Sequence, residues 1–344
     1  MKGGYTMKKK ILALLATLVM VFTMVGCNDQ GVALTKELER VAAWDAFTQK
    51  GTMNITVKVD GQNVKLGTDY EAYYNAKDLQ MEMTMTFKKL EMSGMTIDLS
   101  KDPYKLSPVK TYMDCKNLKF YLSTSYIKDI CKLVGVDAAT IMDASKEYVA
   151  LDLSSMMTDK NKEEIMKYRN TDYSVFTNLK VELPITKKDK TFTIELTGDQ
   201  MVDALFALVN ETFTTQKDLL TTTYKQMGLT DEQIKEMFKG VADVYSDANK
   251  KVAKTALTGT NAKVSYTFED AKYVEAVNAN FKITIDKEVV EFGITMKDEV
   301  KKADVKAVQF PASVKMYTMD DILKASQAVY TTEKIVEANV VEAK

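Results

Sequence analysis

The sequence predicts an α+β fold: a long, strongly curved antiparallel sheet, in effect a half-barrel, packed on helices and carrying a helical insert. Three observations predict it. Apolar residues alternate with polar ones over unusually long stretches, as in Met53, Ile55, Val57 and Val59 or Leu79, Met81, Met83, Met85 and Phe87. Between 198 and 257 that period gives way to a helical one. No stretch rich in Pro, Gly or Ser divides the chain, so residues 33–330 read as a single domain with the insert at 198–257.

The chain opens with Lys8-Lys9-Lys10, followed by Ile11 to Met24, apolar except for Thr17 and Thr23. A membrane-spanning helix needs roughly 20 apolar residues, and this run falls short. Basic, apolar, then small is the order of a secretory signal peptide, so residues 1–26 are expected to be one. The preceding Lys2-Gly3-Gly4 reads as translated leader ahead of a start at Met7. Met24-Val25-Gly26-Cys27 resembles a bacterial lipobox, with Met24 where Leu is usual. The resemblance implies that Cys27 carries a diacylglyceryl thioether and forms the mature N-terminus. The protein is then anchored in the cell membrane on its extracytoplasmic face, with 27–32 as tether.

Along the chain, Leu34, Leu38, Val41 and Phe47 place an amphipathic helix over 33–47. Strands follow from Gly51, with Asp60-Gly61 as a hairpin turn. The return strand carries Val64, Leu66, Tyr70, Ala72 and Tyr74, and the Met-rich strand comes next. Shorter strands are expected at 95–99, 109–113, 118–123 and 148–153, with short helices between 125 and 145 and another at 159–168. A hairpin joins 175–186 to 191–196 over a Lys-Lys-Asp turn. In the insert, one helix spans 199–227 and a second, opened by the capping box Thr230-Asp231-Glu232-Gln233, runs to about 256. Alternation returns at Val264, Tyr266 and Phe268, then from Val277 to Ile285 and from Val290 to Met296. A last helix is expected at 318–329 and a loose tail at 331–344.

Composition narrows the function. There is no histidine, which removes the commonest general base, the Ser-His-Asp and Cys-His nucleophiles and the His-containing zinc sites. Arginine occurs only at 40 and 169. Loss of Lys2, Lys8, Lys9 and Lys10 with the leader leaves 43 basic against 48 acidic residues, net −5, no basis for nucleic-acid binding. Asp243 with Asp247, Glu232 with Glu236, and Glu163 with Glu164 read as solvated surface rather than acid–base pairs. No catalytic residue, metal site or cofactor is expected, and a monomer is. Cys115 and Cys131 read either as a disulfide, worth about 3 kcal/mol if formed, or as two buried thiols.

The helix at 34–47 running into the strand at 52–59, the strand Met81–Phe87 and the ending "VKAVQFPASVKMYTMDDILKA" at 305–325 resemble the lipoproteins related to the periplasmic lipoprotein carrier and the mycobacterial glycolipid-carrying lipoproteins. That resemblance implies a half-barrel over helices that holds an acyl chain or lipid. The expected site is a cleft between the apolar sheet face and helix 199–227, with Met81, Met83, Met85, Phe87, Phe206, Phe281 and Ile283 as candidate lining. Three readings of the methionine stripe stand together: packed core, pliable pocket lining, and a soft-metal site, since thioethers favour Cu(I). They correspond, in that order, to a non-catalytic surface scaffold with a filled core, a lipid or hydrophobic-ligand binder, and a copper-handling envelope protein.

Overall fold

A computed structural model describes residues 29–59, 61–92, 94–154, 183–215, 217–226, 229–285, 288–318 and 321. The leader with Cys27, the helix expected at 159–168, the strand expected from 175, most of the closing helix at 318–329 and the tail lie outside the described residues. Among the described residues no helix is long and apolar enough to cross a membrane.

The fold is α+β, built on one curved, open sheet of 13 strands. Helix α1 (Asp29–Ala42) leads into β1 (Ala46–Val59), which pairs in full register with β2 (Gln62–Asn75). Strands β3 (Gln80–Met92) and β4 (Met95–Asp98) follow, then β5 (Val109–Asp114) and β6 (Lys119–Ser123). Helix α2 (Thr124–Val134) and a short 3-10 turn at Ala138–Thr140 precede β7 (Tyr148–Asp152). The hairpin of β8 (Ile185–Lys188) and β9 (Thr191–Thr197) leads to the insert: α3 (Gly198–Thr215), α4 (Lys217–Gln226), α5 (Asp231–Val244) and α6 (Asp247–Ala256). Strands β10 (Asn261–Phe268), β11 (Lys272–Ile285), β12 (Glu288–Lys302) and β13 (Val314–Thr318) complete it. The order across the sheet is β13-β7-β6-β5-β3-β2-β1-β12-β11-β10-β9-β8, with β4 beside β3.

Three expectations change. The first helix stops at Ala42, and Phe47 belongs to β1. Trp44, only 5 % exposed, and Ala46, fully buried, peg the chain to the core there, and β1 runs straight through Gly51. The two long helices of the insert are four shorter ones. The break after α5 falls at Tyr245, whose ring turns inward to meet Phe206 edge-on at 5.1 Å; the Thr230–Gln233 capping box is present as expected. Finally, the sheet is mixed, because β13 runs parallel to β7.

That parallel strand is delivered by a strap. After β12 the chain crosses the outer face as an irregular segment, held by Tyr73, whose hydroxyl meets the Asp304 and Lys306 carbonyls and the Lys306 N–H. Val308 is buried beneath it, and Phe310 packs on Tyr112 and Tyr121.

The two halves of the concave face differ. Over β8 to β12, α3 and α6 close the sheet with a packed core that includes Leu34, Trp44, Phe192, Met201, Leu205 and Val264. Gly198 permits the tight entry to α3, since a Cβ there would stand 2.3 Å from the Leu257 carbonyl oxygen. Asp203 ties α3 to α6 through Lys250 at 2.8 Å and Lys254 at 2.7 Å. Arg40 fastens α1 to the β10–β11 turn by donating to the carbonyls of Asp270 and Glu269. Over β3 to β7 the cover is thin: α2 and the 3-10 turn alone among the described elements.

Candidate ligand-binding site

In an antiparallel sheet, directly opposed residues share a face. Leu122, Thr111, Met83, Ala72, Gln49 and Val300 therefore form one row across the concave surface. A second row runs Met85, Tyr70, Gly51, Asp298, Glu275, Tyr266. Every strand contributes alternate residues to this surface, so a long run of period-two sequence becomes one continuous concave face.

Under α2 that face borders an open pocket of about 610 Å³, within the size range of small-molecule sites. Its floor is Met81 and Met83 of β3, Thr111 and Met113 of β5, Phe120 and Leu122 of β6, and Val149 and Leu151 of β7. Ile127 of α2, with Ile141 and Met142 beyond it, forms the roof, and Tyr317 of β13 closes one end. Beneath the lining, the Thr111 hydroxyl oxygen is buried and has no hydrogen-bond partner. A buried hydroxyl normally finds one.

The candidate residues divide three ways. Met81 and Met83 line the pocket. Met85 shares their face but lies beyond its edge, opposite Val109 and Tyr70, and Phe87 stacks on Tyr126 of α2 at 5.4 Å. Phe206, Phe281 and Ile283 belong to the packed core, at 2 %, 4 % and 7 % exposure. The cleft expected against helix 199–227 is therefore filled, and the open space lies at the other end of the sheet, under α2. The insert's apolar faces are wide enough to seal their half, whereas α2 is a single helix over five strands.

Nor is the possible disulfide formed. Cys115, in the turn after β5, and Cys131, buried within α2, are both free thiols. Burial and the neighbouring Asp114 raise the Cys115 thiol's pKa, and Cys131 packs as a small apolar group.

Sequence reasoning missed a second feature of the concave face. Asp298 is 2 % exposed and carries Oδ2 bonded by the Gln49 side-chain amide, while Oδ1 has no partner. The Tyr70 hydroxyl faces it outside strict hydrogen-bond geometry but still acts on the carboxyl as a donor, lowering its pKa against the effect of burial. Burial, and then the Asp298 charge, push Glu275 up to about 7, although the Tyr266 hydroxyl bonded to it acts the other way. Burial also raises Asp298 and Tyr70. Among the described residues, no cation is among the groups acting on either carboxyl. The signal was present: Glu275 and Asp298 fall in phase with apolar residues in their strands, Glu275 between Tyr273 and Val277, Asp298 between Met296 and Val300.

The chain matches no family model and no curated protein. The reading of the site rests on its own geometry. Among the described residues, no three His, Cys, Asp or Glu side chains come together as a metal site would require. The outer face carries a smaller depression of about 350 Å³, bordered by Lys50, Glu71, Glu82, Glu299 and Lys301. Its mixed charge and exposure suit water rather than an apolar guest.

Proposed function

We propose that this protein is a lipid-anchored component of the extracytoplasmic membrane face that holds a hydrophobic, acyl-type molecule beneath α2, without covalent chemistry. The observation that carries the reading is the pocket: about 610 Å³ of apolar space floored by flexible methionines. Burying a chain there would gain roughly 25 cal/mol for each Å² removed from water. Methionine side chains adapt to guests of different shape. The anchor follows from the lipobox at Met24–Cys27, and the half-barrel lipoprotein resemblance agrees with a carrier role.

The test is titration of the purified full chain with a fluorescent fatty-acid probe, alongside Leu122→Trp, which places an indole in the pocket floor. The reading expects saturable binding by the native chain and at least tenfold weaker binding by the variant. No binding by the native chain, or equal binding by both, overturns it.

A further inference from the structure

Methionine is concentrated at the pocket. Met81 and Met83 of β3 and Met113 of β5 line its floor, and Met142 lines its roof. Met81 and Met113 are directly opposed across the β3–β5 pair, and Met83 follows two residues along the same face, so their side chains are neighbours. The packed half of the molecule is built differently. Its buried cluster holds Met201 and otherwise relies on Leu, Ile, Val, Ala and aromatic residues. Bulk alone does not call for sulfur, since leucine fills a comparable volume.

Reactivity separates these thioethers from the described thiols. A thiol reacts as its thiolate. Cys131 is 3 % exposed, and burial with the Asp114 charge raises the pKa of Cys115, so neither is well placed to react. A thioether needs no deprotonation. Met81, Met83 and Met113 are only half-buried and stand on an open pocket, within reach of a small oxidant from solvent.

We propose that Met81, Met83 and Met113 are a modification site: a hydroperoxide converts them to sulfoxides, and the modified pocket releases its apolar guest. The inference rests on the pocket reading above and names how that site is regulated. In the step, a sulfur lone pair attacks the terminal oxygen of the peroxide. An S–O bond forms and the O–O bond breaks. The leaving oxygen takes the proton of the transferred one and departs as water, or as an alcohol from an organic peroxide. Sulfur is oxidised and the peroxide reduced by two electrons. The product side chain carries a polar oxygen that accepts hydrogen bonds. Around it stand Phe120, Leu122, Val149 and Leu151, whose side chains have no donor to offer. In the empty pocket water reaches the sulfoxide oxygens. A bound chain would cover them and leave acceptors buried without partners, which disfavours binding. By the same linkage a bound chain shields the sulfurs, so oxidation and binding oppose each other.

The test treats the full chain with hydrogen peroxide, locates added oxygen by peptide mass mapping, and titrates a fluorescent fatty-acid probe before and after. Thermal melts follow folding throughout. Oxygen is expected on Met81, Met83 and Met113, with probe affinity lowered about tenfold or more and restored by methionine sulfoxide reductases. Saturating fatty acid is expected to slow oxidation of those three and to leave that of Met92 and Met95, exposed at the end of the β3–β4 hairpin, unchanged. Met83→Gln imitates the polar product and is expected to weaken the probe as peroxide does, with Met113→Gln in its place should it fail to fold. Met95→Gln is expected to bind as the native chain does. Several results overturn the modification site while the pocket stands: pocket methionines unmodified while Met92 and Met95 gain oxygen, an affinity unchanged by their oxidation, a loss that the reductases do not reverse, or an oxidised chain that no longer melts cooperatively. A reduced native chain that binds no probe overturns the pocket reading and the modification site together.

Discussion

Gly51 of β1 and Asp298 of β12 are cross-strand partners so close that a methyl group on residue 51 would lie 2.5 Å from the Asp298 Cβ and 2.7 Å from the Lys297 carbonyl oxygen. The glycine is there for space. Backbone as well as side-chain atoms would have to move, so Gly51→Ala is expected to destabilise the fold by about 2–3 kcal/mol. The measurement is the urea midpoint of unfolding, with Gly61→Ala no guide because that glycine has a positive φ of 77°. A change under about 0.5 kcal/mol would show that β12 is free to shift.

The buried acid predicts a pH dependence with a definite sign. Glu275 in the folded chain titrates at about 7 against an ordinary value of 4.5. Between those values the folded protein keeps a proton that the unfolded chain releases. Stability is therefore greatest below 4.5, declines as pH rises and flattens above 7. The shift sets an upper bound of roughly 3 kcal/mol, shared with Asp298 because the pair titrates together. Carboxylates held low, such as Glu91 and Glu299, act in the opposite sense only at more acid pH. Melting between pH 5 and 7.5 should thus show a falling midpoint, and Glu275→Gln should flatten it. A midpoint that rises over this range would contradict the assignment.

Core and pocket should respond differently to truncation. Phe206 is 2 % exposed, and its ring meets Tyr245, so Phe206→Ala is expected to cost about 3–5 kcal/mol. Met81 and Met83 border open space, and Met83→Ala should cost about 1 kcal/mol, because much of the cavity is already there. Equal losses in chemical denaturation would mean that the pocket is packed as tightly as the core.

The Thr111 hydroxyl lacks a partner in a greasy surround. Thr111→Val keeps the shape and removes the unsatisfied oxygen. It is expected to stabilise the free protein by about 1 kcal/mol. A destabilised valine variant would indicate that the hydroxyl is satisfied after all.

How much of this could be read from the sequence depends on the strand. The long strands declared themselves, since the alternation of Leu79 to Phe87 and of Val290 to Met296, most of it within β3 and β12, favours a strand over a helix. Met81 and Met83 were identified as one face on that basis, and they do line the pocket. The pocket itself lies under α2 rather than against the insert. Phe206, Phe281 and Ile283 form part of a strong apolar block, and apolarity cannot tell a sealed core from an open cleft. The strands that do floor it, β5 to β7, are only five or six residues long, and Thr111 looks like any strand threonine. The break at Tyr245 escaped notice because helical periodicity continues through it in the sequence. The in-phase carboxylates Glu275 and Asp298 were legible as acids at apolar positions of their strands. Cys115 and Cys131 show the limit of spacing, which fixes no geometry.

The most direct measurement is native mass spectrometry of the full chain released gently from membranes, beside Leu122→Trp treated in the same way. The account predicts a bound hydrophobic molecule on the native chain, lost on collisional heating and absent from the variant. A native chain that emerges from membranes without a bound molecule, and takes up none when offered a fatty acid, would contradict it.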